Sequence, residues 1–143
     1  MADIIKISDA TALALHSMVY LAINPKERST TAELAEAFDA SKHHLAKVHQ
    51  RLAKGGLVLS RRGPSGGIGL AKRPSKITLL EIYEVMEGSM TCRPCLLDKE
   101  VCPRTDCVLS ELLPGLARQV RDYFKRTTLA KLAKESTWGS ERK

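Results

Sequence analysis

All four cysteines of this 143-residue chain fall in one stretch, as Cys92-Arg93-Pro94-Cys95 followed by Cys102 and Cys107. Thiolates are soft donors that lose their proton on binding, so a group of them suits zinc or the iron of an iron–sulfur cluster. The Cys92-x-x-Cys95 pair brings two sulfurs within reach of one metal or of two adjacent irons. The six residues before Cys102 and the four before Cys107 let the chain wrap round from the other side. Arg93, Lys99 and Arg104 favour the thiolate form and offset an anionic cluster. Spacing alone leaves three uses open: an iron–sulfur cluster, a four-cysteine zinc site, or a metal-free thiol switch. One Cys-x-x-Cys followed by irregular spacing is a poor zinc-ribbon pattern, and a thioredoxin-like pair needs a βαβ frame that the sequence lacks.

What surrounds this stretch is asymmetric in charge. The chain carries +7 overall, yet residues 40–80 contain no Asp or Glu and nine cations: Lys42, Lys47, Arg51, Lys54, Arg61, Arg62, Lys72, Arg73 and Lys76. Elsewhere acidic residues slightly outnumber basic ones, so the excess forms one patch suited to a polyanion. Hydrophobic residues at 43% suffice for a core, and aromatics at 4% make that core aliphatic. No run of eighteen apolar residues predicts a membrane span, and residues 1–6 lack a secretory signal. A cytoplasmic location follows as the expectation, one in which clustered thiols point to metal or redox chemistry rather than structural disulfides.

In chain order, Ser8-Asp9 predicts a helix start and residues 10–23 a helix with Leu13, Ala14, Ser17 and Leu21 near one face, stopped at Asn24-Pro25. Thr30 and Glu33 form a capping box for a short helix over 32–38, with Leu34, Ala35 and Phe38 inward. Ser41 then caps a helix over 42–54 whose buried stripe is Leu45, Val48 and Leu52. That leaves His43, His44, Lys47, Gln50 and Arg51 facing outward. Two short helices with a tight turn, the second basic, make a helix-turn-helix pattern. After Gly55-Gly56, residues 57–62 and 68–71 read as a hairpin turning at Gly63-Pro64-Ser65-Gly66-Gly67, with Arg61 and Arg62 beside its tip. Such a wing lays arginines along a duplex while the helix enters the major groove. A phosphate-binding reading of the glycines fails, since neither Gly-Lys-Ser/Thr nor a βαβ frame accompanies them.

A helix over 78–87 follows, with Leu79, Ile82, Tyr83, Val85 and Met86 on a broad apolar face, closed by Gly88. Beyond the cysteines, Leu109, Leu112, Leu113, Leu116, Val120, Tyr123 and Phe124 form a long stripe, the expected seam of a two-fold dimer. Pro114-Gly115 is expected to kink or delay that helix. Thr127-Thr128 caps a last helix over 129–135, and the polar tail 136–143, apart from Trp138, is expected to be loose.

Three segments resemble a known family: Leu52-Ala53-Lys54-Gly55-Gly56-Leu57-Val58 leading into Arg62-Gly63-Pro64-Ser65-Gly66-Gly67-Ile68-Gly69-Leu70; Cys95-Leu96-Leu97 with Cys102 and Cys107; and Thr127-Thr128-Leu129-Ala130-Lys131-Leu132. On these residues 7–135 resemble the Rrf family of bacterial winged-helix regulators, the IscR and NsrR group. The resemblance implies a homodimeric, sequence-specific regulator binding a palindromic operator in double-stranded DNA. It implies Ser41, His43, His44, Lys47 and Arg62 at DNA-contacting positions. It also implies an iron–sulfur cluster, [2Fe-2S] or [4Fe-4S], on three cysteines and a fourth ligand that varies among members. Where some members have a histidine three residues after the last cysteine, this chain has Ser110; where others have an acidic residue in the first helix, it has Ala12, with Asp9 nearby. Cys92 is the natural substitute.

The expected fold is therefore mainly α: a winged helix-turn-helix domain (1–88) with a small β-hairpin wing, a cluster-binding cysteine loop (89–108), dimerisation helices (109–135), the first of them long, and a flexible tail (136–143). The expected metal ligands are Cys92, Cys95, Cys102 and Cys107. The expected DNA-contacting set is Ser41, Lys42, His43, His44, Lys47, Arg51, Arg61, Arg62, Ser65 and Gly66. The expected function is a transcription regulator sensing redox, nitric oxide or iron status. The alternatives are a cluster-free thiol- or ligand-responsive regulator, and an iron–sulfur electron carrier or zinc-binding scaffold. No enzyme is expected: His43, His44 and His49 share one predicted helix without a nearby carboxylate, and no nucleophile-elbow motif is present.

Overall fold

The computed structural model describes residues 5–64, 66–90, 109 and 111–137. In chain order these form α1 (Asp9–Ile23), α2 (Thr31–Ala37), α3 (Lys42–Lys54), β1 (Val58–Arg61), β2 (Gly67–Leu70), α4 (Leu79–Glu87), α5 (Leu112–Arg126) and α6 (Leu129–Glu135). The mainly helical fold with a two-stranded antiparallel hairpin agrees with the expectation from sequence. No helix among the described residues is long and apolar enough to cross a membrane.

Local chemistry sets the helix starts. Ser8 accepts from Thr11 N–H, and Ser41 accepts from His44 N–H. Thr30 and Glu33 close a reciprocal capping box, and Thr78 and Glu81 close a second one ahead of α4. Pro114 falls in the first turn of α5. It is the helix's third residue, where its missing N–H would have had no carbonyl partner in any case.

One aliphatic core gathers Met18 and Leu21 of α1, Leu34 of α2, Leu45, Val48 and Leu52 of α3, Leu57, Val58 and Ile68 of the hairpin, and Ile77 and Ile82 around α4. Thr11 and Met18, absent from the predicted inner face of α1, are both fully buried, while Leu13 is only half-buried. Leu129 of α6 lies in the same core and is fully buried. Short backbone pairing holds it there: Leu79 N–H donates to Thr127 O (3.0 Å) and Leu129 N–H to Ile77 O (2.9 Å). The last helix thus completes the core of the N-terminal module. The α5 stripe divides. Leu113 is buried and Phe124 packs edge-on against Tyr83 of α4, whereas Leu112 and Tyr123 remain 54% and 45% exposed.

Candidate nucleic-acid interface

Burial of Leu45, Val48, His49 and Leu52 on one side of α3 fixes the opposite side outward. Ser41, Lys42, His43, His44, Lys47 and Gln50 are all exposed. The helix ends in a Schellman turn: Gly56 adopts φ 76, its N–H donates to Ala53 O (3.0 Å), and Leu57 N–H donates to Leu52 O (3.0 Å). That turn feeds directly into β1, so the angle between α3 and the wing is set by hydrogen bonds rather than by a slack linker.

The wing pairs Val58 with Leu70, Leu59 with Gly69, Ser60 with Ile68 and Arg61 with Gly67. Arg61 and Arg62 are exposed near its tip. Its root is anchored by a third strand-like contact, in which Ser29 and Ile68 exchange two backbone hydrogen bonds (3.0 and 2.8 Å). Arg28 adds a longer bond from its guanidinium to Leu59 O (3.4 Å). The close approach at Ser29 requires glycine next door: a Cβ on Gly67, which has φ 122, would lie 2.7 Å from Ser29 O. Gly66 is tighter still, with Arg61 O only 2.2 Å from where its Cβ would be. Its N–H bonds Gly63 O (2.9 Å) to close the turn.

Two members of the sequence-predicted DNA-contacting set stand apart. Ser65 lies outside the described residues. Arg51, in the last turn of α3, is exposed but also donates from its guanidinium to the carbonyl of Met86 at the end of α4.

Two residues that hold the candidate interface in place were not singled out for that role by sequence reasoning. His49 is 4% exposed; its Nε2 meets Ser17 Oγ of α1 (3.1 Å) and its Nδ1 meets Thr31 Oγ1 of α2 (3.3 Å). Burial brings its pKa down to about 4, so a neutral ring pins α3 to both neighbours. The spacing Leu45, Val48, His49, Leu52 follows i, i+3, i+4, i+7 and was the available signal. Glu87, the last residue of α4, accepts from Ser8 N–H (2.9 Å) and from the hydroxyl of Thr11. Burial opposes its charge, but the hydroxyls of Ser8 and Thr11, the Ser8 N–H and Lys6 outweigh it and bring the carboxyl down to about 2.

Cys92, Cys95, Cys102 and Cys107 lie outside the described residues, as do Ser110 and the tail from Trp138. Among the described residues no group of three or more His, Cys, Asp or Glu is placed to hold a metal ion. Asp9 is exposed in the first turn of α1. The Ser8 and Thr11 bonds to Glu87 set that turn beside the end of α4, from which the cysteine segment departs.

Comparison with known proteins converges on one family. A family model described as "Rrf2: Iron-dependent Transcriptional regulator" matches residues 7–135. An HTH-type protein of Aquifex aeolicus (strain VF5) is 35% identical over 128 residues, covering 87% of this chain and 89% of its own length. The HTH-type transcriptional regulator NsrR of Halalkalibacterium halodurans is 30% identical over 132 residues, with 87% and 90% covered. Among solved structures, CymR (YrzC), the global cysteine regulator of B. subtilis, matches with a TM-score of 0.77 at 30% identity, over 92% of this chain and 98% of that one.

Proposed function

The chain belongs to the Rrf2 family of transcription regulators, and from that premise we propose that it binds an operator duplex as a homodimer and adjusts its grip through the cysteine segment. As a member of this family it is a DNA-binding regulator and not an enzyme. The observation that carries the finer reading is the exposed, acid-free surface of α3, with Ser41, Lys42, His43, His44 and Lys47. It runs through a fixed turn into a wing carrying Arg61 and Arg62. A helix of this kind enters the major groove, where side chains read base edges, while the wing's arginines, together with Ser65 and Gly66, contact the backbone or minor groove. The exposed Leu112 and Tyr123 of α5 supply the seam for a second copy. A two-fold dimer then calls for a palindromic site.

Cys92, Cys95, Cys102 and Cys107 are a soft, four-sulfur donor set that fits an iron–sulfur cluster, in keeping with the iron-dependence of the matching family model. Cys92 is the fourth donor in this reading, with Asp9 the alternative. When bound, the cluster supplies a group sensitive to redox state, nitric oxide or iron supply. A second reading, regulation through the thiols alone, draws on the similarity to CymR, a cysteine regulator. Both readings place the protein in the reducing cytoplasm.

Anaerobic purification with iron and sulfide counts, for wild type and Cys92→Ala, separates the two. Brown wild-type protein with stoichiometric iron, and loss of iron in the variant, supports the cluster with Cys92 as ligand. Colourless, iron-free protein that still recognises its operator removes the cluster. Gel shifts address DNA binding itself: log affinity falls linearly with log salt, at about 0.9 per phosphate contacted. An electron carrier or zinc scaffold that is merely basic would show no operator preference.

A further inference from the structure

The last turn of α4 gathers contacts from three other helices just before the chain enters the cysteine segment. From α3, the Arg51 guanidinium donates to Met86 O. The end of α3 is also packed hard against this turn: a Cβ on Gly55 would lie 2.7 and 2.8 Å from the methyls of Val85. From α1, Ser8 and Thr11 hold Glu87. From α5, Arg121 sits 3.7 Å from the Glu84 carboxylate and donates to Met90 O (3.3 Å). Gly88 follows at φ 88, with its N–H on Glu84 O, and Cys92 is four positions further on.

We propose that Arg51 is a positioning residue rather than a DNA contact. It fastens α3 to residues 84–90 at the end of α4, where contacts from α1, α3 and the proposed dimer helix α5 meet just before the cysteine segment. A helix end leaves carbonyls without intrahelical partners and carries partial negative charge, so a guanidinium placed there satisfies both. That bond uses one N–H of a guanidinium that stays exposed, so the salt series decides whether the same group also meets a phosphate. Displacement of the α4 turn pulls on α3 through Arg51 and the Gly55–Val85 contact, without passing through the dimer seam. This inference rests on the DNA-binding reading above and deepens it.

The test measures binding of the full-length protein to its operator duplex over a salt series. Wild type, Lys47→Ala, Arg51→Ala and Arg51→Lys are each compared as metal-free, thiol-reduced protein and after anaerobic loading with ferric iron, sulfide and excess thiol. Lys47→Ala lowers the salt slope by about 1, as a lost phosphate contact does. Arg51→Ala weakens binding but keeps the wild-type slope, and brings the affinity ratio between loaded and metal-free protein towards one. Arg51→Lys, which retains a donor for Met86 O, recovers part of that ratio and serves as the folded comparison if the alanine variant is unstable. A slope lowered by about 1 in Arg51→Ala, or an affinity ratio left at the wild-type value, overturns the assignment. If wild type itself shows a ratio of one, the sensing reading fails, and the positioning role is then decided by the salt slope alone.

Discussion

His49 shares a helix with His43 and His44, yet its surroundings give it a different chemistry. Enclosed between Ser17 and Thr31, it stays neutral down to about pH 4, while in the unfolded chain it takes up a proton near pH 6.5. The unfolded state therefore binds more protons between these values, and stability is complete above pH 6.5 and lost as pH falls towards 4. Native stability should be about 2 kcal/mol lower at pH 5 than at pH 7 from this group alone. Urea melts of wild type and His49→Leu at both pH values check this: the variant is less stable at pH 7 but lacks that part of the pH dependence. The exposed candidates Lys42, Lys47, Arg61 and Arg62 were legible in sequence because an outward position needs only the helix or hairpin period. The partners of His49, Thr11 and Arg51 were not, since they lie 32, 76 and 35 residues away. Local pattern carries no information about such pairings.

At the scale of elements, what each helix does at its ends decides how the proposed DNA-reading surface is held. Gly67 lets the wing root lie against Ser29, so Gly67→Ala meets both a left-handed backbone and a carbonyl 2.7 Å away. It should cost about 1–3 kcal/mol of stability. Its larger effect should be on DNA affinity, through a displaced Arg61 and Arg62, and thermal melts set beside gel shifts separate the two. The junction of α1 and α4 behaves differently. With its carboxyl at about 2, Glu87 contributes stability that is present above pH 4.5 and lost as pH falls from there towards 2. Glu87→Gln should lower stability at pH 7 by about 1.5–3 kcal/mol, the range for a hydrogen bond to a charged group. It should also flatten the acid limb of a stability–pH curve. Helix boundaries were readable because caps act within three or four residues: Ser41 and the Thr30–Glu33 box needed no tertiary information. Of the kink or delay expected at Pro114-Gly115, α5 shows a later start, at Leu112 rather than at Leu109 where the apolar stripe begins. That start depends on how the preceding segment arrives, which the apolar stripe does not encode.

For the molecule as a whole, the decisive feature is how α5 divides its apolar side. Leu113 is buried, and Phe124 is drawn onto Tyr83 of α4. Leu112 and Tyr123 stay open to solvent on a helix otherwise rich in charge. The fold leaves these large apolar side chains exposed, as expected of a surface that a second copy covers. Under the homodimer reading, Leu112→Glu with Tyr123→Glu places two carboxylates in the seam, while the Leu113 and Phe124 contacts that hold α5 to α4 are retained. The variant should sediment as a folded monomer at concentrations where wild type is a dimer. On a full palindrome its affinity should drop to what wild type shows for an isolated half-site, because the two recognition helices no longer bind as one unit across about 34 Å of duplex. A double variant that remains dimeric in analytical ultracentrifugation, or that keeps full-palindrome affinity as a monomer, would place the seam elsewhere and detach operator symmetry from α5.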